Sequence, residues 1–83
     1  MKTSLVRFAQ LRRLLLDLHF NEARSNGFWR YEHSGSGTVF LFRPYALDDN
    51  VAMQDLASTR THLDWRGVLS STVFDDSLTK TPA

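Results

Sequence analysis

The sequence feature that most constrains the fold is the segment over residues 26–43, NGFWRYEHSGSGTVFLFR. Residues 28–33 are rich in aromatic side chains and residues 38–42 are almost wholly apolar, and both compositions are typical of β-strands. Between them, SGSG at residues 34–37 supplies the flexible backbone that a hairpin turn requires. Pro44 ends the second run because proline has no N–H to donate to a strand ladder. The segment therefore predicts an antiparallel hairpin.

A helical periodicity precedes the hairpin, and a short strand is predicted between the two. Apolar residues at helical spacing predict a helix over residues 7–18, with a stripe formed by Phe8, Leu11, Leu15 and Leu18. His19 follows the last leucine, at the position where asparagine and glycine are the usual left-handed caps. Residues 20–26 alternate in character and predict a first strand.

Two further helices are predicted after the hairpin. Asp49 or Asn50 is expected to cap the first of them, whose shared face is formed by Met53, Leu56, Arg60 and Leu63. Gly67 fits the position just after the end of that helix. Ser70 or Ser71 is expected to cap a short last helix carrying Val73, Phe74 and Leu78.

The order of elements is α-β-β-β-α with a short helix appended, which predicts an α+β fold. The strands are joined by tight connections, so the three-stranded sheet must be antiparallel. Two helices packed on one face of the sheet would leave the other face open. We predict a single domain over residues 1–78, followed by a disordered tail over residues 79–83.

Length and composition exclude several classes of protein. A chain of 83 residues makes one small domain, which buries only about 60% of its unfolded surface. Without cysteine it has neither a disulfide framework nor a thiolate zinc site. Arginines interrupt any signal-peptide pattern near the N-terminus, and no apolar run approaches the roughly 18 residues of a membrane span. We therefore expect a soluble, cytoplasmic protein that makes no membrane contact.

Charge is unevenly distributed along the chain. Residues 1–43 carry seven basic and three acidic side chains, whereas residues 44–83 carry three basic and six acidic ones. This asymmetry is compatible with a basic face for nucleic acid, although small domains often show it by chance. The candidate RNA-binding residues are Arg12, Arg13, Arg24 and Arg30, whose guanidinium groups would contact phosphates. For Arg12 and Arg13, a solvated helix face is the favoured alternative.

The element order and three local motifs resemble the HicA family, the small RNA-cleaving toxins of bacterial toxin–antitoxin pairs. The motifs are LRRLLLDLHF at residues 11–20, RYEHSGSGTVFLF at residues 30–42 and DLASTRTHLDWRGVL at residues 55–69. They correspond to the family's opening helix, to its hairpin and to its closing helix. The resemblance implies a fold like that of the double-stranded RNA-binding domain. It also implies RNA and an antitoxin-like protein as partners.

The chain departs from the family at the residue that carries the chemistry. HicA proteins have Gly-Ser-His, two further residues and an aromatic at the start of the second strand, and the histidine is taken as the catalytic base. With Tyr31 as the aromatic, Asn26, Gly27 and Phe28 occupy those places, and a shift by one residue puts Trp29 at the histidine. Neither register supplies a histidine, so we expect the usual cleavage of mRNA to be lost.

Three histidines lie elsewhere in the chain. His33 is five positions after Phe28, so in a regular strand it faces the other side of the sheet. His19 is better interpreted as structural, and His62 and Asp64 point in different directions on a helix. The sequence predicts no metal site and no cofactor. Paired aspartates suit helix starts, where carboxylates interact well with the helix dipole: Asp48, Asp49, Asp75 and Asp76.

Three functions therefore stay open. The first is an RNA-binding HicA-like protein that has lost the usual cleavage. The second is a protein-interaction module, with a partner surface around Phe28 and Arg30 that binds an antitoxin-like protein or a second copy. It requires Trp29 and Tyr31 to face the helices, which places Phe28 on the open side. The third is an active nuclease with a rearranged base at His33.

Overall fold

The structure, a computed structural model, describes residues 6–79 and confirms the predicted α+β class. A three-stranded antiparallel sheet in the order β1-β2-β3 is combined with helices. The elements are α1 (Phe8–Asp17), β1 (Asn21–Ser25), β2 (Phe28–His33), β3 (Thr38–Phe42), α2 (Met53–Trp65) and α3 (Ser71–Thr79). The disordered tail predicted for residues 79–83 lies outside the described residues except for Thr79, which is the last residue of α3.

The central strand β2 sorts its side chains between the core and solvent. Trp29 lies opposite Phe42 and Tyr31 lies opposite Phe40, and Tyr31 is fully buried. These side chains form the inner face of the sheet, which packs against the helices. Because successive strand residues point to opposite faces, Phe28 is directed to the outer side, as the alternation predicted.

Phe8, the first residue of α1, is the centre of the aromatic core. It is fully buried, and its ring centroid lies 5.1 Å from that of Trp29, 5.8 Å from that of Phe42 and 5.2 Å from that of Tyr45. Its backbone N–H donates to the carbonyl oxygen of Asp49 at 2.8 Å. One residue therefore joins α1 to the sheet and to the loop that precedes α2.

The start of α2 differs from the prediction. Its N-cap is Ala52, which has no capping side chain, so the expected cap at Asp49 or Asn50 is wrong. The Asp49 carboxylate instead accepts a hydrogen bond from the N–H of Ala46 at 2.8 Å. The Tyr45 hydroxyl accepts the Ala52 N–H at 2.9 Å, so a side chain from the preceding loop stabilises the helix entry.

The predicted apolar face of α2 is only partly correct. Leu63 is fully buried and Leu56 is half-buried, but Met53 is 69% exposed and Arg60 lies at the surface, paired with Asp75 at 3.0 Å. Thr59 is buried instead, and its hydroxyl donates to the carbonyl of the residue four positions earlier at 2.8 Å. This internal bond satisfies the hydroxyl, so a threonine can occupy a core position.

The remaining helix ends and turns follow local backbone rules. His19 adopts a left-handed φ of 71° at the exit of α1, and Gly67 has a φ of 72° just after α2. The Ser70 hydroxyl accepts the N–H of Val73 at 3.3 Å and caps α3, as predicted. Asn26 and Gly27 have φ of 53° and 84°, which makes the β1–β2 connection a two-residue turn of the Asn-Gly type.

Substitution of the core centre should be far more costly than substitution of an exposed phenylalanine. We expect Phe8→Ala to lower the free energy of unfolding by about 3–5 kcal/mol, because it leaves a cavity among four aromatic rings. The matched control, Phe28→Ala on the outer side of β2, should change it by no more than about 0.5 kcal/mol. Urea unfolding followed by circular dichroism measures both. Equal losses would contradict this placement of the two rings.

Candidate functional site

The outer side of the sheet carries the main exposed apolar surface in the strands. Phe28 on β2 is 47% exposed, and Val39 and Leu41 on β3 are 46% and 64% exposed. Arg30 lies directly opposite Leu41 across the two strands, and Glu32 lies opposite Val39. We call these five residues the open face: Phe28, Arg30, Glu32, Val39 and Leu41.

The charges of the open face cancel each other. The Arg30 guanidinium lies 3.2 Å from the Glu32 carboxylate, and both side chains are about two-fifths exposed (42% and 43%). The open face therefore has one cation, one anion and three apolar side chains. Affinity for nucleic acid depends mainly on net positive charge at phosphates. A neutral, apolar face suits a protein surface better.

Phe28, which the resemblance to HicA proteins aligns with the family's histidine, has a well-defined setting. It is the first residue of β2, directly after the Asn26-Gly27 turn, and its ring is on the solvent side. Trp29, the residue at the histidine in the other register, lies on the inner face and donates from Nε1 to the carbonyl oxygen of Tyr45 at 3.0 Å. Neither side chain can take a proton from a ribose hydroxyl.

His33 does not reach the open face. The pairing of β2 with β3 is continuous from Trp29 to His33, so no bulge turns the imidazole outward. Its ring lies 4.9 Å from that of Phe20 on the inner side. Nδ1 accepts the N–H of Ser36 at 3.2 Å and lies 2.8 Å from the Ser36 hydroxyl oxygen. These contacts assign His33 to the stabilisation of the β2–β3 turn.

The other two histidines lie apart from Phe28 and from each other. His19 is exposed at the exit of α1, and His62 is exposed on α2, where Nδ1 lies 2.9 Å from the Ser58 carbonyl oxygen. Within residues 6–79, no three histidine or carboxylate side chains are grouped closely enough to hold a metal ion.

Arg12 is bound in a cluster with Glu22 and Tyr31. Its guanidinium makes two contacts with the Glu22 carboxylate, at 2.7 and 3.3 Å. The Tyr31 hydroxyl donates to the same carboxylate at 2.8 Å. The hydrogen bond from Arg12 holds the pKa of Glu22 below its ordinary value, whereas burial raises the pKa of Tyr31. The positive charge of Arg12 is therefore largely compensated by the carboxylate of Glu22.

Of the other three predicted RNA-binding arginines, the structure places Arg30 apart from Arg24. The Arg24 guanidinium lies 4.2 Å from the centre of the Trp29 ring and donates to the carbonyl of Gly27 at 3.1 Å. Arg13 is exposed on α1 and makes no ion pair within residues 6–79. Arg24 lies near Glu22, on the side of Arg12, whereas Arg30 is on the open face. No single face presents all four.

A surface depression of about 320 Å³ lies beside the start of α2. It is lined by Arg43, Pro44, Tyr45, Asp49 and Asn50. The Arg43 guanidinium is paired with the Asp55 carboxylate at 3.2 Å, and the Tyr45 hydroxyl donates to that same carboxylate. These polar groups already have partners in the protein, so the depression is better explained by packing than by ligand binding.

Sequence reasoning missed the Glu22 cluster and the Asn-Gly turn. The turn has a clear local signal, because Asn-Gly between two strand-like runs is the strongest short-range indication of a hairpin. The cluster has no local signal, because Arg12, Glu22 and Tyr31 lie on three different elements.

The Glu22 cluster predicts a specific loss of stability in acid. Because the folded pKa of Glu22 is lowered, the stabilisation is complete above the ordinary glutamate pKa of about 4.3 and is lost as the pH falls through the folded pKa. We expect urea unfolding of the Glu22→Gln and Arg12→Gln variants to show a weaker dependence on pH in that window than the wild type. Arg13→Gln is the matched control and should keep the wild-type dependence. If the stability of Glu22→Gln depends on pH as strongly as that of the wild type, this assignment is wrong.

Comparison with known proteins identifies no relative of this chain. No family model matches this chain, and no curated protein or solved structure matches it either. Across residues 6–79, no helix combines the length and the apolar character needed to cross a membrane. The likeness to HicA proteins therefore rests on the sequence motifs and on the order of the elements.

Proposed function

We propose that this chain is a protein-binding domain on a HicA-like fold, and that it lacks the RNA cleavage of that family. The observation that carries the proposal is the open face, where Phe28, Val39 and Leu41 are about half exposed or more around a neutral Arg30–Glu32 pair. Contiguous apolar side chains at a surface indicate an interaction site. The bound partner is a protein with an apolar patch, and the resemblance suggests an antitoxin-like one.

The loss of cleavage is supported by where the possible bases lie. A general base must come within hydrogen-bond reach of the hydroxyl that it deprotonates. The family's position holds Phe28, and His33 is turned to the inner side of the sheet by an unbroken strand register. His62 is on α2 and has its Nδ1 at the Ser58 carbonyl. No histidine shares the open face with Phe28.

A protein partner is favoured over RNA by the distribution of charge. Binding of nucleic acid is dominated by cations that neutralise phosphates. Of the predicted arginines, Arg12 is paired with Glu22 at 2.7 Å and Arg30 with Glu32 at 3.2 Å. At a protein interface, an exposed aromatic with neighbouring aliphatic side chains can act as the central anchor.

RNA binding is the second candidate, and one observation favours it. Neither Arg13 nor Arg24 makes an ion pair in the described chain, and Arg24 lies near Arg12 on one side of Glu22. These three arginines would form a small basic surface at the edge of the sheet beside α1. Contacts there would position a phosphate backbone without reading bases.

The first test concerns cleavage. Purified protein incubated with a fluorescently labelled RNA should leave it intact, because no base lies at the position of Phe28. The Phe28→His variant, at an exposed site that tolerates a polar ring, is the informative companion and should be the more active of the two. Robust cleavage by the wild type that persists in Phe28→Ala would refute the loss of activity.

The second test concerns the partner. Wild-type and Phe28→Ser proteins are used in parallel to capture proteins from the source cells, and each protein that depends on Phe28 is purified for calorimetry. We expect Phe28→Ser to weaken its binding at least about tenfold, as for a central anchor. Leu47→Ser is the matched control, because Leu47 is also 47% exposed but lies outside the sheet. It should leave the affinity unchanged.

The same proteins separate the RNA candidate from the protein candidate. Fluorescence anisotropy with a labelled RNA should show no binding that weakens steeply with salt. If such binding occurs and is abolished by Arg12→Glu with Arg13→Glu but not by Phe28→Ser, RNA is the ligand and the proposal of a protein partner is wrong.

A further inference from the structure

The two edges of the sheet differ sharply in chemistry. β1 is an edge strand with the sequence NEARS, and all five of its residues are exposed. β3 is the other edge, with the sequence TVFLF and no ionisable side chain. Proteins usually protect a free edge with charges, because its unpaired backbone groups are a template for another strand. β1 has this protection and β3 lacks it.

The outer edge of β3 is not paired with another strand of the described chain. Its backbone pairs with β2, and no other backbone–backbone hydrogen bond within residues 6–79 reaches Thr38–Phe42. No bulge interrupts the pairing, and no proline occurs before Pro44. β3 is therefore a regular, uncharged edge with unused hydrogen-bonding capacity.

One side of α2 lies beside β3 and its turn, and it carries a large exposed side chain. The His62 ring lies 6.1 Å from the Phe40 ring, and Arg66 donates to the carbonyl oxygen of Ser36 at 3.2 Å. Trp65 follows His62 by three residues, so it lies on the same side of the helix. It is 79% exposed, the largest exposed fraction among the large apolar side chains of the described residues.

We propose that two copies of this chain associate about a two-fold axis by antiparallel pairing of their β3 strands. The two sheets then form one continuous six-stranded sheet, and the Trp65 side of each α2 packs across the axis. The dimer shares Val39 and Leu41 with the open face, but it is formed through the edge of β3 and through α2 and does not involve Phe28.

A second copy fits this edge because the strand is complementary to itself. With the axis at Phe40, Val39 lies opposite Leu41 of the other copy and Phe40 lies opposite its own equivalent. These are pairs of apolar side chains on matching faces. The nearest charge on the strand, Arg43, would lie opposite Gly37 of the second copy, so no two like charges are paired directly across the two strands.

The area available explains why α2 must take part. A stable interface buries about 800 Å² on each partner, and a five-residue strand is only about 17 Å long. The strand edge alone falls short of this area. Trp65 supplies a large aromatic group beside the edge, and tryptophan is among the residues that contribute most to interface affinity.

The test is the oligomeric state of the full chain. Sedimentation velocity over micromolar to submillimolar concentrations should show a reversible monomer–dimer equilibrium. We expect Val39→Lys and Trp65→Ser each to weaken dimerisation at least tenfold. Val39 lies opposite Glu32, so a lysine there gains a partner within the monomer and does not compromise folding. Circular dichroism confirms that each variant is folded.

Two control variants and one local measurement make the result specific. Asn21→Lys places the same charge on the outer side of the opposite edge, also opposite Glu32, and Phe28→Ser alters the central strand, so both should leave the dimer constant unchanged. Hydrogen exchange should show amides of β3 becoming more protected with concentration while those of β1 do not. A wild type that stays monomeric throughout, or a dimer that neither Val39→Lys nor Trp65→Ser weakens, would overturn the proposal.

Different results would refute the proposed partner site at Phe28 and the proposed β3 dimer. Loss of the captured partner in Phe28→Ser with an intact dimer would support the open face as a partner site and leave the β3 dimer standing. A monomeric wild type that still binds its partner through Phe28 would overturn the dimer alone.

Discussion

The alternation of side chains along β2 is the constraint on which the rest of the structure depends. Trp29 and Tyr31 point inward and meet Phe8 and Phe42, which joins α1 and β3 to the central strand. The same alternation turns Phe28 outward, so its side chain belongs to the surface. The alternation of side chains along β2 therefore produces both the aromatic core and the exposed apolar face. A shift of the β2 pairing register by one residue would turn the core side chains to solvent and the exposed side chains to the core.

Several arginines of this protein are paired with carboxylates, which lowers the free positive charge at the surface. Arg12, Arg43 and Arg60 are each paired with a carboxylate on another element, so they hold elements together. Surface ion pairs of this kind contribute little stability individually. They nevertheless reduce the positive field that a phosphate backbone would experience. Three arginines of the basic half of the sequence, Arg12, Arg30 and Arg43, lie beside carboxylates, so the positive charge of that half is partly neutralised in the folded protein.

Local sequence signals predicted the strands, α1, the order of elements and the cap at Ser70, because hydrophobic period and turn chemistry act over a few residues. The start of α2 was not predictable in this way. Its entry is stabilised by the Tyr45 hydroxyl, seven residues from Ala52, which takes the role expected of a neighbouring Asp49. Thr59 entered the core in place of Met53 because its hydroxyl is satisfied within the helix. The absence of a histidine at the Phe28 position could be seen directly, since it depends only on residue identity.

The sequence by itself predicted the fold class, and it put Phe28 on the strand face opposite to Trp29 and Tyr31, because the order of elements and the two-residue period of a strand can be read from local residue patterns. Only the tertiary structure decided which arginines are paired, that His33 stabilises a turn, and that β3 is an edge strand beside Trp65. Those properties depend on which segments meet in space. The order of strands in a sheet and the carboxylate that an arginine finds are set by packing between elements far apart in the chain.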